Sequence, residues 1–398
     1  MSASAARWPA SFFFVTCQPG MERAVKDEVA RAHGALRFAF SRPGFVTFKA
    51  PEPLPLEAPL HTVFARAFGV SLGKVEAPAE RAAAESAQDA AVADGPQETS
   101  GAGSLSCALA ANTLAALESL RALGAPLPAR LRLHVFEREE RVPGEEPAAF
   151  TVGALAASAE CALREAASAA WLDGPRAAPG EVVLDVVVLE PAVWWLGAHV
   201  HGSPHSPHPG GRPPVVVPAQ APSRAYLKLE EALAWSALPL RAGDTAVELG
   251  SAPGGASWAL LQRGLQVVGV DPAAMAPGVL AHPHFRHVTE TAGRVRREAL
   301  PRRVDWLLLD VNLAPRITLA EVFRLGRRMS ETLLGVVLTL KLNEARVAAE
   351  VPAMLAALTN EGFQGVRAAQ LPSHRRELVA VALTPRGLSR LPAPEPPA

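Results

Sequence analysis

Cysteine is scarce: the 398 residues contain three, Cys17, Cys107 and Cys161. An odd number at wide spacing offers neither a disulfide framework nor a zinc-ligand pattern, and it suits a reducing, cytoplasmic setting. Long apolar runs are also missing. The patch at residues 12–15 is too short for a signal-peptide core, and no run approaches the ~18 residues of a membrane span, so no membrane partner is expected. There is no G-x-G-x-x-G and no G-K-[ST], which disfavours a dinucleotide or a nucleoside triphosphate as ligand. Net charge is absent as well, with 39 basic against 39 acidic residues. That zero is a sum of unlike parts. Residues 75–104 hold about six acidic residues against one Arg, and residues 223–386 about 20 Lys and Arg against about 15 Asp and Glu. A basic C-terminal half suits an anionic partner; a solvated surface is the plain alternative.

What is present is an apolar fraction of 49%, enough for a globular chain of two or three domains. A small α+β unit is expected over residues 8–74, with strands at 12–17 and 44–48 and helices at 20–32 and 61–68. Residues 75–104 are Ala, Glu, Ser, Gln and Gly without apolar period, and read as a disordered acidic linker. A second α+β unit spans residues 105–200, with helices at 108–123 and 154–170 and strands at 131–136, 182–189 and 193–200. Residues 201–222, rich in Pro, Gly and His, read as a flexible connector. Its His201, His205 and His208 have prolines between them and no Cys or acidic neighbour, so no metal is expected. Residues 387–398 read as a disordered tail.

Residues 223–386 carry the strongest pattern. The stretch 244–271 runs strand, glycine-rich turn, helix, strand and acidic residue, the first unit of a nucleotide-binding α/β sheet. Gly250, Ser251, Ala252, Pro253, Gly254 and Gly255 form the turn, where glycines let backbone approach a ligand and the helix start offers unpaired N–H groups. Asp271, ending the second strand, can accept hydrogen bonds from the hydroxyls of an adenosine ribose. A purely structural P-G-G turn is the competing reading. Further strands are expected at 285–289, 305–311, 335–342, 366–371 and 377–383, with a helix at 346–358. Alternation with helices argues a doubly wound, mainly parallel sheet. Residues 372–376 are too few for a crossover, so the last two strands should pair antiparallel.

Four polar residues stand at informative places. Asp310 ends one strand and Lys341 the next, Lys228 lies on the helix before the first strand, and Glu377 begins the last strand. Ligands bind at the carboxyl ends of such parallel strands, so Asp310 and Lys341 point to the crevice of the turn. For any one of them a strand-terminal surface charge is the commoner case. Two in one cleft fit that case less comfortably.

SRAYLKLEEAL, ELGSAPGG, VVGVD, WLLLDVNLAP, LTLKLN and SHRRELVAV resemble the signatures of S-adenosylmethionine-dependent ribose 2′-O-methyltransferases acting on RNA. Within them, APSR-x-x-LKLEEA, QL-x-x-x-R-x-E-x-V and the opening CQPGMERAVKDEV are similar to the bacterial 23S rRNA cytidine 2′-O-methyltransferases. The resemblance implies a Rossmann-like methyltransferase domain preceded by a ferredoxin-like and THUMP-type α+β RNA-binding module. It implies S-adenosylmethionine as cofactor, with Gly250, Ser251, Ala252, Pro253, Gly254, Gly255, Asp271 and Asp310 around it, and no metal. It also implies a catalytic tetrad of Lys228, Asp310, Lys341 and Glu377, in which Lys341 is the general base and Glu377 holds Lys228. Lys228 and partial burial would push the Lys341 pKa down, with Asp310 opposing. Departures from the family pattern are Glu248 in place of Asp, PGGAS at the turn, Ala225 in place of Ser, and Glu290 or Thr291 where an acidic residue near adenine is usual. The implied substrate is 23S rRNA. The same chemistry on tRNA, an RNA-binding or assembly protein with an inactive methyltransferase domain, and a Rossmann oxidoreductase are the other readings.

Overall fold

The computed structural model describes residues 10–77, 100–140, 153–202, 204–342 and 344–392. The chain divides into two compact units, residues 1–213 and 214–398.

The first unit follows the order β1 (Phe12–Cys17), α1 (Glu22–Ala32), β2 (Arg37–Arg42), β3 (Phe45–Lys49), β4 (Ala65–Glu76), α2 (Ser100–Ala122), β5 (Arg132–Glu137), α3 (Ala154–Ala166), β6 (Val182–Glu190) and β7 (Val193–Val200). Its seven strands form one sheet in the order β2-β3-β1-β4-β7-β6-β5, antiparallel except for the β5–β6 pair. The two α+β halves read from the sequence therefore share a single sheet, joined where Val70 of β4 pairs with Ala198 of β7. Helix α1 forms as its pattern foretells, burying Val25 and Val29, four residues apart, on one face.

Three expectations need correction in this unit. Residues 61–68 are not a helix, because β4 starts at Ala65 and runs to Glu76 between β1 and β7. The four-residue spacing of Phe64 and Phe68 imitates a helical stripe, but two neighbouring strands claim the backbone hydrogen bonds. The linker expected at residues 75–104 fails at both ends, since β4 includes Val75 and Glu76 and α2 begins at Ser100; residues 78–99 lie outside the described residues. The first half of the connector is not loose. His205 stacks on His199 of β7 with ring centroids 4.0 Å apart and meets Phe68 at 4.4 Å. His199 in turn donates from Nδ1 to Oδ2 of the fully buried Asp185 carboxylate at 2.7 Å, and His134 lies 3.7 Å from the other carboxylate oxygen. Burial alone would raise the Asp185 pKa; the electrostatic and hydrogen-bonding interactions with His199 and His134 outweigh it and hold the carboxyl at about 2.

The second unit comprises α4 (Ala225–Ser236), β8 (Thr245–Leu249), α5 (Gly255–Gln262), β9 (Gln266–Val270), α6 (Pro277–Leu280), β10 (Phe285–Val288), β11 (Trp306–Leu309), α7 (Pro315–Met329), β12 (Gly335–Lys341), α8 (Ala345–Asn360), β13 (Gln364–Ala369), β14 (Glu377–Leu383) and α9 (Pro385–Leu388). The sheet order is β10-β9-β8-β11-β12-β14-β13. Strands β10, β9, β8, β11 and β12 are parallel, and β14 runs antiparallel to both β12 and β13. This is the doubly wound sheet with an antiparallel last strand. Its parallel strands read as continuous apolar runs because helices cover both faces. Helix α7 had not been singled out in the sequence; Leu319, Val322, Leu325 and Met329 form its buried stripe.

The tail expected to be disordered from residue 387 is ordered as far as it is described. Residues 387–392 include Leu391, which packs on the core, and Arg390, whose guanidinium grips the buried Asp244 with Nη2 to Oδ1 2.8 Å. Asp244 also accepts from the Trp306 indole at 2.9 Å, so the end of the chain closes a buried polar cluster. Residues 393–398 lie outside the described residues.

Candidate active site

Parallel strands β8, β11 and β12 deliver their carboxyl ends to one rim, and three sequence-singled features sit there. The 250–255 turn follows β8, Asp310 follows β11, and Lys341 is the last residue of β12. The Asp310 backbone N–H donates to Leu249 O, which locks the exits of β8 and β11 side by side. Glu377, first residue of β14, lies opposite Lys341 in the antiparallel register. Helix α4 brings Lys228 from outside the sheet.

The four side chains close into a ring of alternating charge. Lys228 Nζ is 2.8 Å from Asp310 Oδ2 and 2.8 Å from Glu377 Oε1. Lys341 Nζ is 3.2 Å from Asp310 Oδ1 and 2.6 Å from Glu377 Oε2. Each carboxylate bridges both ammonium groups with separate oxygens. Side-chain exposures of 12% for Glu377 to 20% for Asp310 leave the ring mostly buried but within reach of solvent. Two negative and two positive charges in so little water stabilise one another strongly, and removing one member leaves an uncompensated partner.

The electrostatics differ from the expectation in one respect. Burial pulls the Lys341 pKa down, but Asp310 and Glu377 together outweigh burial, and the net direction is upward. Burial likewise pushes Asp310 and Glu377 up, and the two lysines more than reverse it, so both carboxyls titrate below their ordinary range. Glu377 does not serve Lys228 alone; it holds both lysines.

The glycine turn is also differently employed. At Gly250, φ is +80°, and a Cβ there would stand 2.4 Å from Asp310 O. A Cβ on Gly255 would stand 2.3 Å from Ser223 Oγ and 2.8 Å from Tyr226 N, at the start of α4. Both glycines let protein segments approach each other, which brings β11 and the Lys228 helix against the turn. Asp271 supports the same turn, accepting from the Ala252 N–H at 3.1 Å and from the Ala273 N–H at 2.8 Å. It remains partly exposed at the carboxyl end of β9. Glu290 follows β10 and is exposed.

Sequence reasoning noted Glu248 only as a departure from a pattern, yet it lies behind the ring. It is fully buried, accepts a hydrogen bond from Ser257, and borders a cavity of ≈ 30 Å³ whose lining includes Lys228, Asp310 and Thr339. That volume suits a water or two, not a nucleotide. Burial raises the Glu248 pKa to about 8, with the charges of Asp310 and Asp271 adding to it against the Ser257 hydrogen bonds. A charged residue type inside the apolar strand TAVEL was the available signal.

Residues 221–370 match the model of the FtsJ-like methyltransferases. The FtsJ-like segment thus covers the turn, Lys228, Asp310 and Lys341, and ends before Glu377. Among curated relatives, the chain is 39% identical over 193 residues to the ribosomal RNA large subunit methyltransferase M of Alkalilimnicola ehrlichii, covering 46% of this chain and 52% of that protein. It is 36% identical over 184 residues to the protein of the same name from Halorhodospira halophila, covering 45% and 52%. With the one from Tolumonas auensis it shares 31% identity over 242 residues, covering 57% and 64%. The chain spans about half the length of the first of these relatives.

Proposed function

We propose that the FtsJ-like unit transfers a methyl group from S-adenosylmethionine to a ribose 2′-hydroxyl of RNA, and that the substrate is a cytidine of 23S rRNA. The closed ring of Lys228, Asp310, Lys341 and Glu377 at the crevice carries the reading. The names of the curated relatives support the choice of large-subunit rRNA, and the sequence resemblance supports cytidine.

The residues present fit the cofactor. Asp271 is anchored by two backbone N–H groups and keeps lone pairs for the hydroxyls of an adenosine ribose, while the 250–255 turn and Asp310 border the same rim. When bound, the cofactor supplies a methyl group on a cationic sulfonium. The protein's part is to hold the nucleotide and manage a proton. A ribose hydroxyl is a poor nucleophile, and a positioned base that removes its proton makes it a better one. Lys341 is that base, and Lys228, Asp310 and Glu377 fix its place. Without substrate the ring stores Lys341 as its ammonium, so Lys341 must release its own proton before it can take one from the hydroxyl. Holding the hydroxyl in line with the methyl supplies much of the remaining rate.

The N-terminal unit is assigned to RNA binding of the THUMP type, consistent with its α+β make-up. No helix among the described residues is long and apolar enough to cross a membrane, and a cytoplasmic site of action suits an rRNA substrate. Mass spectrometry of rRNA from a strain lacking the gene should show one ribose methyl lost from 23S rRNA and restored by the wild-type gene. An unchanged rRNA methylation pattern would refute the assignment.

A further inference from the structure

The N-terminal sheet leaves three phenylalanines in the open. Phe12, Phe38 and Phe40 are 38%, 53% and 44% exposed, and they account for every exposed large aromatic side chain among the described residues. The same sheet buries Phe13, Phe14, Phe45 and Phe48, so it has no general difficulty in covering rings. Exposed rings on an edge strand such as β2 invite unwanted pairing and are a liability unless they serve a purpose. Each ring also has a cation beside it. Lys49 Nζ lies 5.9 Å from the Phe12 centroid, Arg42 Cζ 5.6 Å from that of Phe40, and Lys26 Nζ 4.1 Å from that of Phe38.

Strand register sorts these residues by face. Phe12 pairs with Lys49, and Lys49 with Arg37; Phe40 pairs with Thr47, two residues before Lys49, and Arg42 pairs with Phe45. Cross-strand partners share a face, as do alternate residues of one strand. Phe12, Arg37, Phe40, Arg42 and Lys49 therefore stand on one face, the outer margin of a face whose Phe14, Phe45 and Thr47 are buried. Phe38 pairs with Phe48 and so stands on the other side, near Lys26 of α1, while the register shift between Phe38 and Phe40 brings Phe40 round to the Thr47 face. Two strand spacings and two residue steps separate Phe12 from Phe40 by roughly 12 Å, a distance that a short extended strand covers.

We propose that this face is a stacking platform for single-stranded RNA, with Phe12 and Phe40 each taking a base and Arg37, Arg42 and Lys49 meeting the phosphates. It presupposes the RNA substrate proposed above. An aromatic ring accepts the flat face of any base, and flanking cations neutralise the backbone, which is how sequence-tolerant single-strand binding is built. A duplex hides its base faces and cannot use the rings. Rings separated by charges do not form the continuous apolar patch that a protein partner would favour. Arg42 is shared with Glu190, leaving Arg37 and Lys49 as the cations to test.

The test is fluorescence anisotropy with the full-length protein and a labelled single-stranded oligoribonucleotide. The double variant Phe12→Leu/Phe40→Leu keeps apolar side chains on an exposed face but cannot stack, and should bind about tenfold more weakly or worse. Phe12→Trp/Phe40→Trp should bind at least as well as wild type. Arg37→Ala and Lys49→Ala should each lower the slope of log affinity against log salt by about 0.7. A 2-aminopurine placed in the oligonucleotide should be quenched by wild type and not by the leucine variant. If wild type binds the strand and the leucine variant binds it equally well, the platform is wrong while the RNA reading stands. If wild type binds no RNA, the reading beneath it fails as well. Loss of binding to large-subunit particles with undiminished oligonucleotide binding would assign the face to a ribosomal protein and overturn the proposal.

Discussion

Lys341 and Glu377 face each other in register across the β12–β14 pair, with Lys341 Nζ 2.6 Å from Glu377 Oε2. The backbone ladder sets this contact. A slip of one residue would turn Glu377 to the opposite face of the sheet and leave Lys341 with Asp310 alone. The protonation of Lys341 is thus tied to how the last strand docks.

Lys341→Ala should abolish methyl transfer while calorimetry still detects S-adenosylmethionine binding, because Asp271 and the turn are untouched. Glu377→Gln should act on the pH profile. Glu377 and Asp310 hold the Lys341 pKa above its ordinary value, so removing the Glu377 charge lowers it. The rise of rate with pH should then move to lower pH. A lower rate with an unmoved pH profile would show that Lys341 is not the titrating base.

Glu248→Gln should stabilise the protein at neutral and mildly alkaline pH. The Glu248 carboxyl titrates near 4.5 when unfolded and at about 8 when folded. Its contribution is fully present below the unfolded value and is lost as pH rises through the folded one, so wild-type stability declines between those limits. Glutamine keeps a partner for Ser257 and cannot ionise. The gain at pH 8 should be on the order of a few kcal/mol. Chemical denaturation at pH 5 and pH 8 checks it: the two proteins should differ little at pH 5 and clearly at pH 8.

Gly255→Ala should impair catalysis without touching a charged residue. The new methyl group meets Ser223 Oγ, Ser223 O and Tyr226 N, two of them backbone atoms that cannot swing aside. Helix α4 must shift, and Lys228 with it. A stability loss of about 1–3 kcal/mol is expected together with a fall in kcat larger than any change in KM. A variant with wild-type kcat would show that the position of α4 does not matter.

Arg390→Ala should destabilise the second unit by roughly 2–4 kcal/mol, because Asp244 would remain buried with its charge uncompensated. Asp244 is 2% exposed, and its carboxyl is held below the usual range: burial raises it, and Arg390, Trp306 and the Arg241 N–H outweigh that. Thermal melts should show a loss for the variant and a larger one for a chain ending at residue 386, which also gives up Leu388 and Leu391 on the core.

Removing residues 1–213 should weaken RNA binding and leave cofactor binding intact. The cut belongs after Pro213, where the first compact unit ends, because residues 205–211 pack with that unit. Equal RNA affinity for the truncated and the full chain would dismiss the N-terminal unit as an RNA-binding element.

Much of the second unit was legible because buried parallel strands are apolar runs bounded by turn residues, as in β8, β11 and β12. The short link before Glu377 likewise dictates that β13 and β14 pair antiparallel. The failures have physical causes of their own. Strand β4 carries a misleading four-residue spacing, and edge strand β2 has no buried apolar residue to announce it. Residues 205–211 and 387–392 have the composition of loops, yet they are held by partners distant in sequence. Arg390 and Asp244 are 146 positions apart.

By itself the sequence determined the strand–turn–helix–strand unit, the placement of Asp310 and Lys341 at neighbouring strand ends, and the residue types of the four-membered ring. Those follow from local pattern and from the rule that parallel strands end on one rim. Tertiary structure alone decided that Glu377 serves both lysines, that Lys341 is held as an ammonium, and that Gly250 and Gly255 accommodate protein backbone. Charge coupling and steric contact act through space, between residues such as Lys228 and Asp310 that stand 82 positions apart, and no local pattern records their distance.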